Sequence, residues 1–252
     1  MKDQTLLFKF LTRLGDNTLI IGHRNSEWCG HSPVLEEDIA LANIALDFIG
    51  QTRLWLGLDG EVEGKGRDAD KLAYLRDAHE FTNFLLVEQP NGDFAQTMTR
   101  QMLFDAWHLP VLEQLCASDN ARVAEIAQKA VKEVRYHLNR SRSLCVAMGD
   151  GTAESHQRMQ NAIDLLWPYA LEMLHADEVE MDLFEAGIGH DPAVVADEWR
   201  GFMDVFFAES GLEKPESSFA QVGGKDGRHT EHMGFLLAEM QFLQRAYPGA
   251  TW

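Results

Sequence analysis

The chain has 252 residues, of which 45% are hydrophobic and 25% charged. That length allows one large or two small domains, and the composition excludes a disordered or fibrous protein. With 40 acidic and 22 basic residues the net charge is −18. Because this charge repels phosphate backbones and anionic lipid, we expect neither nucleic acid nor a membrane among the partners.

The cysteines and the N-terminus indicate the compartment. The three cysteines, Cys29, Cys116 and Cys145, have no short paired spacing and do not suggest a disulfide framework. Charged side chains such as Lys9 and Arg13 interrupt the first apolar stretch, which therefore resembles neither a signal peptide nor a membrane span. We expect a cytoplasmic protein.

Apolar residues recur at spacings of three and four along most of the chain, and no long stretch alternates as a strand does. This periodicity predicts an all-α protein. Helix start signals, glycines and prolines divide it into segments. The predicted helices cover about residues 4–28, 33–57, 71–88, 94–117, 121–148, 153–186, 192–209 and 230–246. Loops are expected over 57–70 and 211–226, and Pro110 and Pro168 fall inside helical patterns.

The helix predicted over 33–57 is apolar on more than one face, as in a fully buried helix. Beyond its first turns, Asn43 and Asp47 are the polar residues of the stretch 39–49. A buried carboxylate costs several kcal/mol unless it is paired, hydrogen-bonded or bound to metal. Asp47 therefore indicates either a bond to a neighbouring helix or a metal site.

Acids and histidines inside a helical bundle are typical of a di-metal carboxylate site, where Glu-x-x-His pairs place two ligands on one helix face. In a first arrangement, four helices of this chain supply such ligands and the protein is itself a di-metal oxygenase. Its ligands are Asp47, Asp105, His108, Glu133, Glu172 and His175.

A second arrangement uses the consecutive helices 33–57, 71–88, 94–117 and 121–148. Lone carboxylates are then present at Asp47 and Asp105, but both Glu-x-x-His pairs are broken. His79 has Arg76 three residues before it, and His137 has Val134. A site built in this way lacks ligands.

A glycine-rich segment, 223–232, precedes the last predicted helix and carries Lys225, Arg228 and His229. Basic side chains before a helix N-terminus suit an anion. A capped loop entering the helix explains the same residues. The segment 60–66 contains the Gly and Lys of a phosphate loop, but lacks the following Ser or Thr and the preceding strand.

Several uncommon blocks allow a more specific comparison. They are SEWCGHSP (26–33), DIALANIALD (38–47), LVEQPNGDFA (86–95), KEVRYH (132–137) and HTEH (229–232). Through these blocks the chain, from about Thr12 to Trp252, resembles the C-subunit family (PaaC) of the bacterial phenylacetyl-CoA ring epoxidase. The resemblance implies a single ferritin-like helical domain over 1–252 and a role in aerobic phenylacetate catabolism.

The resemblance also implies a division of labour. In that monooxygenase a homologous catalytic A subunit holds the di-iron centre, and a reductase with FAD and an iron–sulfur cluster supplies electrons from NADPH. The C subunit is the structural partner of the A subunit. We therefore expect this chain to be non-catalytic, to hold no metal or cofactor, and to meet phenylacetyl-CoA only through the complex.

The block 132–137 indicates which residues replace the metal site in this chain. The catalytic relative has a Lys-Glu-Glu-x-Phe-His type of sequence where this chain has 132–137, and Val134 occupies the position of the ligand Glu. We expect a metal-free polar cluster in place of the site, formed by Asp47, Asp105, Glu133 and His137. The loop with Lys225, Arg228 and His229 is a candidate contact for the CoA phosphates.

Overall fold

A computed structural model describes residues 2–250, with side chains from Gln4 onward. Over this range the chain is all-α, as predicted and as expected of a ferritin-like helical bundle, and no strand occurs among the described residues. The helices are α1 (Lys2–Ser26), α2 (Leu35–Glu63), α3 (Ala69–Tyr74), α4 (Phe94–Leu115), α5 (Ala121–Gly149), α6 (Ala153–Ala170), α7 (Glu178–Glu185), α8 (Pro192–Ser210), α9 (Glu231–Met240) and α10 (Phe242–Ala246). Short 3₁₀ turns occupy Ala78–Glu80, Leu171–Leu174 and Gly224–Asp226.

The chain divides into two compact units. The first contains the chain up to Pro90 and the chain from Val222 onward, and the second is Asn91–Gln221. In the first unit α1 and α2 run antiparallel, since Thr12 Oγ1 donates to Asp59 Oδ2 at 2.7 Å and the Thr18 and Thr52 hydroxyls lie 2.9 Å apart. Glycines on α1 allow this close approach, and a Cβ at Gly15 would lie 2.4 Å from the Leu56 side chain.

The second unit is built around α4, which packs against α5, α6 and α8. Most of α4 is buried, polar positions included. Trp199 of α8 is buried and its indole N–H donates to the carbonyl of Leu103 at 3.1 Å. The core of this unit therefore surrounds the helix that carries Asp105 and His108.

The prediction of one continuous helix over 71–88 is wrong. Helix α3 ends at Tyr74, and Asp77 caps a separate 3₁₀ turn. Beyond this turn the backbone N–H groups of Thr82 and Phe84 donate to side chains of α1, Asp16 at 2.8 Å and Asn17 at 2.9 Å. These long-range acceptors replace the helical carbonyls, so the segment stays irregular.

Other boundaries also differ from the prediction. Helix α2 continues to Glu63 and ends at Gly64 with a φ of 70°, so the segment 60–66 includes the last turn of a helix rather than a phosphate loop. The helix predicted over 153–186 is interrupted between Ala170 and Glu178, where Asp177 caps a new helix. The helix predicted over 230–246 is likewise divided, at Gln241.

Two expectations are confirmed in detail. Pro110 and Pro168 lie inside α4 and α6. The residues after Gly211 form a long loop up to a 3₁₀ turn at Gly224.

None of the helices described within residues 2–250 combines the length and the hydropathy that a membrane-spanning helix needs.

Candidate functional site

A buried carboxylate lies in the core of the second unit. Asp105 of α4 is completely buried. Its Oδ1 accepts a hydrogen bond from Gln101 Nε2 at 2.7 Å, one helical turn earlier, and its Oδ2 accepts from Ser141 Oγ of α5 at 3.3 Å. Amide and hydroxyl donors of the protein itself thus satisfy both carboxylate oxygens.

Two buried histidines accompany Asp105. Burial raises the pKa of Asp105 to about 7, and the charge of His137 on α5 opposes this rise. Burial, together with the smaller effect of the nearby His137, lowers the pKa of His108 to about 3. His108 lies among aromatic rings, with its centroid 5.0 Å from that of Phe104. The structure thus brings together Asp105 and His137 of the predicted polar cluster.

The remaining members of the predicted polar cluster are placed differently. Asp47 of α2 is half-buried and belongs to the first unit. Its helix is not fully buried, since one face is exposed at Ile39 and Leu46. Glu133 of α5 is half-buried. Asp47 is therefore not the fully buried carboxylate that the apolar sequence around it predicted.

The ligand set of the di-metal alternative does not fit the structure. Glu172 lies in the 3₁₀ turn Leu171–Leu174 and is buried, whereas His175 follows the turn in extended backbone and is exposed. The pair consequently does not share one helix face. Among the described residues no three His, Cys, Asp or Glu side chains form a group that could hold a metal ion.

A second buried carboxylate, which the sequence reasoning missed, lies in the first unit. Glu88 is completely buried, and Arg24 of α1 donates to its backbone carbonyl at 2.7 Å. Its carboxylate accepts four hydrogen bonds. The donors are Asn83 Nδ2 at 3.1 Å, Thr230 N at 2.6 Å, Thr230 Oγ1 at 2.7 Å and His229 Nδ1 at 2.7 Å.

The hydrogen-bond geometry of His229 suits the imidazolium form. Its Nδ1 faces the Glu88 carboxylate and its Nε2 lies 3.0 Å from the carbonyl oxygen of Phe81. Both acceptors lack a proton to give, so both ring nitrogens donate. Burial alone would lower the pKa of His229, but the hydrogen bond and charge of Glu88 outweigh burial and the pKa is raised.

The segment before His229 packs on the same part of the first unit. A Cβ at Gly224 would lie 2.1 Å from the carbonyl oxygen of Asn83, so this position requires glycine. Lys225 Nζ lies 5.5 Å from the ring centroid of Phe84, and Arg228 pairs with Asp226 at 3.0 Å on the surface. We call residues 223–230 with Glu88 the C-terminal latch. The predicted role of this loop in binding an anion stays a prediction.

The first unit holds two further buried acids. Asp16 pairs with Arg76, whose guanidinium lies 4.1 Å above the Phe81 ring. Burial raises the pKa of Asp59 to about 8, although the Thr12 hydroxyl opposes the rise. For Glu88 a signal exists in the sequence, since it directly follows four apolar residues, 84–87.

Comparison with known proteins agrees with this fold. The family model described as "Phenylacetic acid catabolic protein" matches residues 1–252. The chain is 47% identical over 246 residues to the C subunit of the 1,2-phenylacetyl-CoA epoxidase of Escherichia coli (strain K12), and the match covers 98% of this chain and 99% of that relative. The chain belongs to the phenylacetic acid catabolic protein family.

Proposed function

We propose that the protein is a non-catalytic structural subunit of a multicomponent phenylacetyl-CoA monooxygenase, a ring 1,2-epoxidase of aerobic phenylacetate degradation. It docks onto the di-iron catalytic subunit and stabilises it in the cytoplasm. The observation that carries the proposal is the 47% identity to the C subunit of an epoxidase over almost the full length of both chains.

The chemistry of the buried acids supports the non-catalytic part of the proposal. Gln101 and Ser141 hold Asp105, while Thr230, Asn83 and His229 hold Glu88. These donors do the work that a metal ion does for buried carboxylates elsewhere. Hydrogen bonds within this chain therefore account for both buried acids without a metal-binding role.

If this chain is the structural subunit, the other components of the epoxidase supply the metal and the electrons. The homologous catalytic subunit holds the di-iron centre, and the reductase, with NADPH, FAD and an iron–sulfur cluster, supplies electrons. Phenylacetyl-CoA meets this chain only through the complex. The competing proposal is a di-metal oxygenase within this chain.

A reconstituted epoxidase separates the two proposals. The double variant Asp105→Asn, Glu133→Gln removes two ligands of the competing site. We expect the turnover of phenylacetyl-CoA to stay within about twofold of the parent complex, because neither side chain contacts reacting atoms in the structural role. Omission of the chain should abolish most of the activity of the catalytic subunit.

Two results would contradict the proposal. One is a fall of about a thousandfold in turnover for a double variant that still folds and assembles, as expected for lost metal ligands. The other is an unchanged activity and thermal stability of the catalytic subunit when the chain is left out. Circular dichroism and gel filtration of the variant complex provide the folding and assembly controls.

A further inference from the structure

The last turns of α2 place a buried acid, Asp59, against α1. Its side chain is completely buried, and its Oδ2 lies 2.7 Å from Thr12 Oγ1 of α1. The other carboxyl oxygen, Oδ1, is also buried and has no hydrogen-bond partner among the described residues. One neutral hydroxyl therefore provides all the hydrogen bonding that this carboxyl group has.

The neighbouring acid, Asp16 of α1, shows how the same core satisfies a carboxylate. Arg76 donates to Asp16 through both terminal nitrogens, and the backbone N–H of Thr82 donates to it at 2.8 Å. Arg76 also donates to two backbone carbonyls. The hydrogen bonds of this guanidinium are thus directed at Asp16 and the backbone, and Asp59 receives none of them.

The charged groups that face Asp59 do not supply the missing partner. Burial is the main influence and raises the pKa of Asp59 to about 8. The charges of Asp16 on α1 and Glu63 on α2 add to this rise, while Arg76, which follows α3, opposes it. Glu63 is itself paired with Arg67, whose Nε donates to it at 2.7 Å.

The hydrogen bond between Thr12 and Asp59 can run in either direction. Thr12 Oγ1 also lies 2.9 Å from the carbonyl oxygen of Phe8, one turn earlier in α1. A threonine hydroxyl has one proton to donate, and it can accept as well. If Asp59 is ionised, Thr12 must donate to it and no proton lies between Thr12 and Phe8. If Asp59 keeps its proton, Asp59 donates to Thr12 and Thr12 donates to Phe8, so both contacts are hydrogen bonds.

The protonated form also leaves less polar surface unsatisfied. A buried carboxylate with a single neutral donor is strongly disfavoured. A neutral acid leaves only a carbonyl-type oxygen, Oδ1, without a donor.

We propose that Asp59 is a neutral carboxylic acid in the folded protein near neutral pH, and that its proton, donated to Thr12, makes the contact between α1 and α2 sensitive to pH. Between the unfolded pKa of about 3.9 and the higher folded value, only the folded chain keeps this proton, so rising pH favours unfolding. The proposal does not depend on the epoxidase role, because it rests on contacts within the first unit.

Carbon-13 NMR of the full chain, labelled at the aspartate carboxyl carbons, tests the protonation directly. The chemical shift of this carbon differs between the acid and the carboxylate. At a pH of about 7 we expect the Asp59 resonance at the position of the neutral acid. The resonance is identified by its absence from Asp59→Asn and by its displacement in Thr12→Ser. The serine variant keeps the hydroxyl and provides the assignment even if Asp59→Asn fails to fold.

Urea unfolding at several pH values tests the linkage to the fold. The amide of Asp59→Asn can donate to Thr12 as the neutral acid does, but it cannot titrate. Between a pH of about 5 and 7 the ratio of unfolding equilibrium constants, parent over variant, should rise about tenfold per pH unit, as one proton requires. Asp105 and His229 are present in both chains and cancel in this ratio. For the matched control Asp164→Asn, at an exposed position of α6, the ratio should not change with pH.

Two results would overturn the proposal. One is an Asp59 resonance at the position of the carboxylate at a pH of about 7. The other is a ratio of parent to Asp59→Asn that stays constant over the same pH range, which would show that Asp59 ionises alike in the folded and unfolded chain.

Discussion

Glu88 and His229 form a buried ion pair whose two members are far apart in the sequence. Because Glu88 raises the pKa of His229, the folded protein holds the imidazolium proton more tightly than the unfolded chain does. The stabilisation is complete below the unfolded pKa of about 6.5 and is lost as the pH rises through the higher folded value.

This linkage predicts the behaviour of Glu88→Gln. At a pH of about 6 the free energy of unfolding of the variant should be about 3 kcal/mol lower than that of the parent, because the buried imidazolium loses its anion. The decline in stability above neutral pH should also be smaller than in the parent. Urea unfolding across this pH range measures both effects, with the exposed Glu239→Gln as the matched control. A Glu88→Gln profile that coincides with the control would contradict the assignment.

The buried Asp105 should make the stability of the fold depend on pH over a lower pH range than His229 does. Burial raises its folded pKa to about 7, so between the unfolded value of about 3.9 and this value only the folded state keeps the proton. The unfolded chain binds fewer protons there, and Asp105 lowers the stability as the pH rises. Asp105→Asn cannot titrate and still offers an oxygen to Gln101 or Ser141.

We therefore expect the unfolding free energy of Asp105→Asn to vary less with pH between about 4 and 7 than that of the parent. Chemical denaturation at several pH values measures this slope. Asp164→Asn, at an exposed position of α6, is the control and should keep the slope of the parent. An unchanged slope in Asp105→Asn would show that Asp105 ionises as it does in the unfolded chain.

At the scale of elements, the C-terminal latch ties the end of the chain to an irregular segment of the first unit. Gly224→Ala should destabilise this contact by about 2 kcal/mol, because the added Cβ would lie 2.1 Å from the Asn83 carbonyl oxygen and something must shift. Thermal unfolding measures the loss, and limited proteolysis within 211–230 should become faster.

Gly234→Ala provides the matched control for this prediction. Gly234 lies inside α9, where an added Cβ meets no atom within 4 Å. Alanine also favours the helix, so this variant should be as stable as the parent or up to about 1 kcal/mol more stable. If both variants behave alike, the tight packing of Gly224 does not hold the latch in place.

The sequence pattern predicts an element well where local signals decide it. The carboxylate, amide and hydroxyl caps before α4, α5 and α6, and Pro192 at the start of α8, lie at the predicted helix starts within a residue. The segment 71–88 has helical periodicity, but Asp16 and Asn17 of α1 capture its backbone N–H groups. No local pattern reports an acceptor more than 60 residues away.

The same distinction explains the candidate site. Local signals predict the helices that carry Asp105 and His137, and the family resemblance of the block 132–137 implied a polar cluster that contains both residues. Glu88 could not be placed in this way, because its partners His229 and Thr230 lie 141 and 142 residues further along the chain. For α2 the apolar pattern indicated burial, whereas the exposure of Ile39 and Leu46 is recognised only from the structure.

At the scale of the whole molecule, composition predicts a globular protein, and the net charge predicts that neither nucleic acid nor a membrane is a partner. The proposed function rests on family membership. The net charge of −18 alone is equally compatible with a metal-rich core. The structure assigns several acids to a buried, hydrogen-bonded interior instead, at Asp16, Glu88 and Asp105. The excess of carboxylates is therefore no argument for a metal enzyme.

The central claim is that this chain supports a metal-holding partner and holds no catalytic metal itself. Its most direct test is co-expression with the catalytic subunit in iron-rich medium, purification of the complex, and iron counting on each separated chain. We expect about two irons on the catalytic subunit, as in di-iron carboxylate proteins, and background iron on this chain. About two irons retained by this chain would contradict the account.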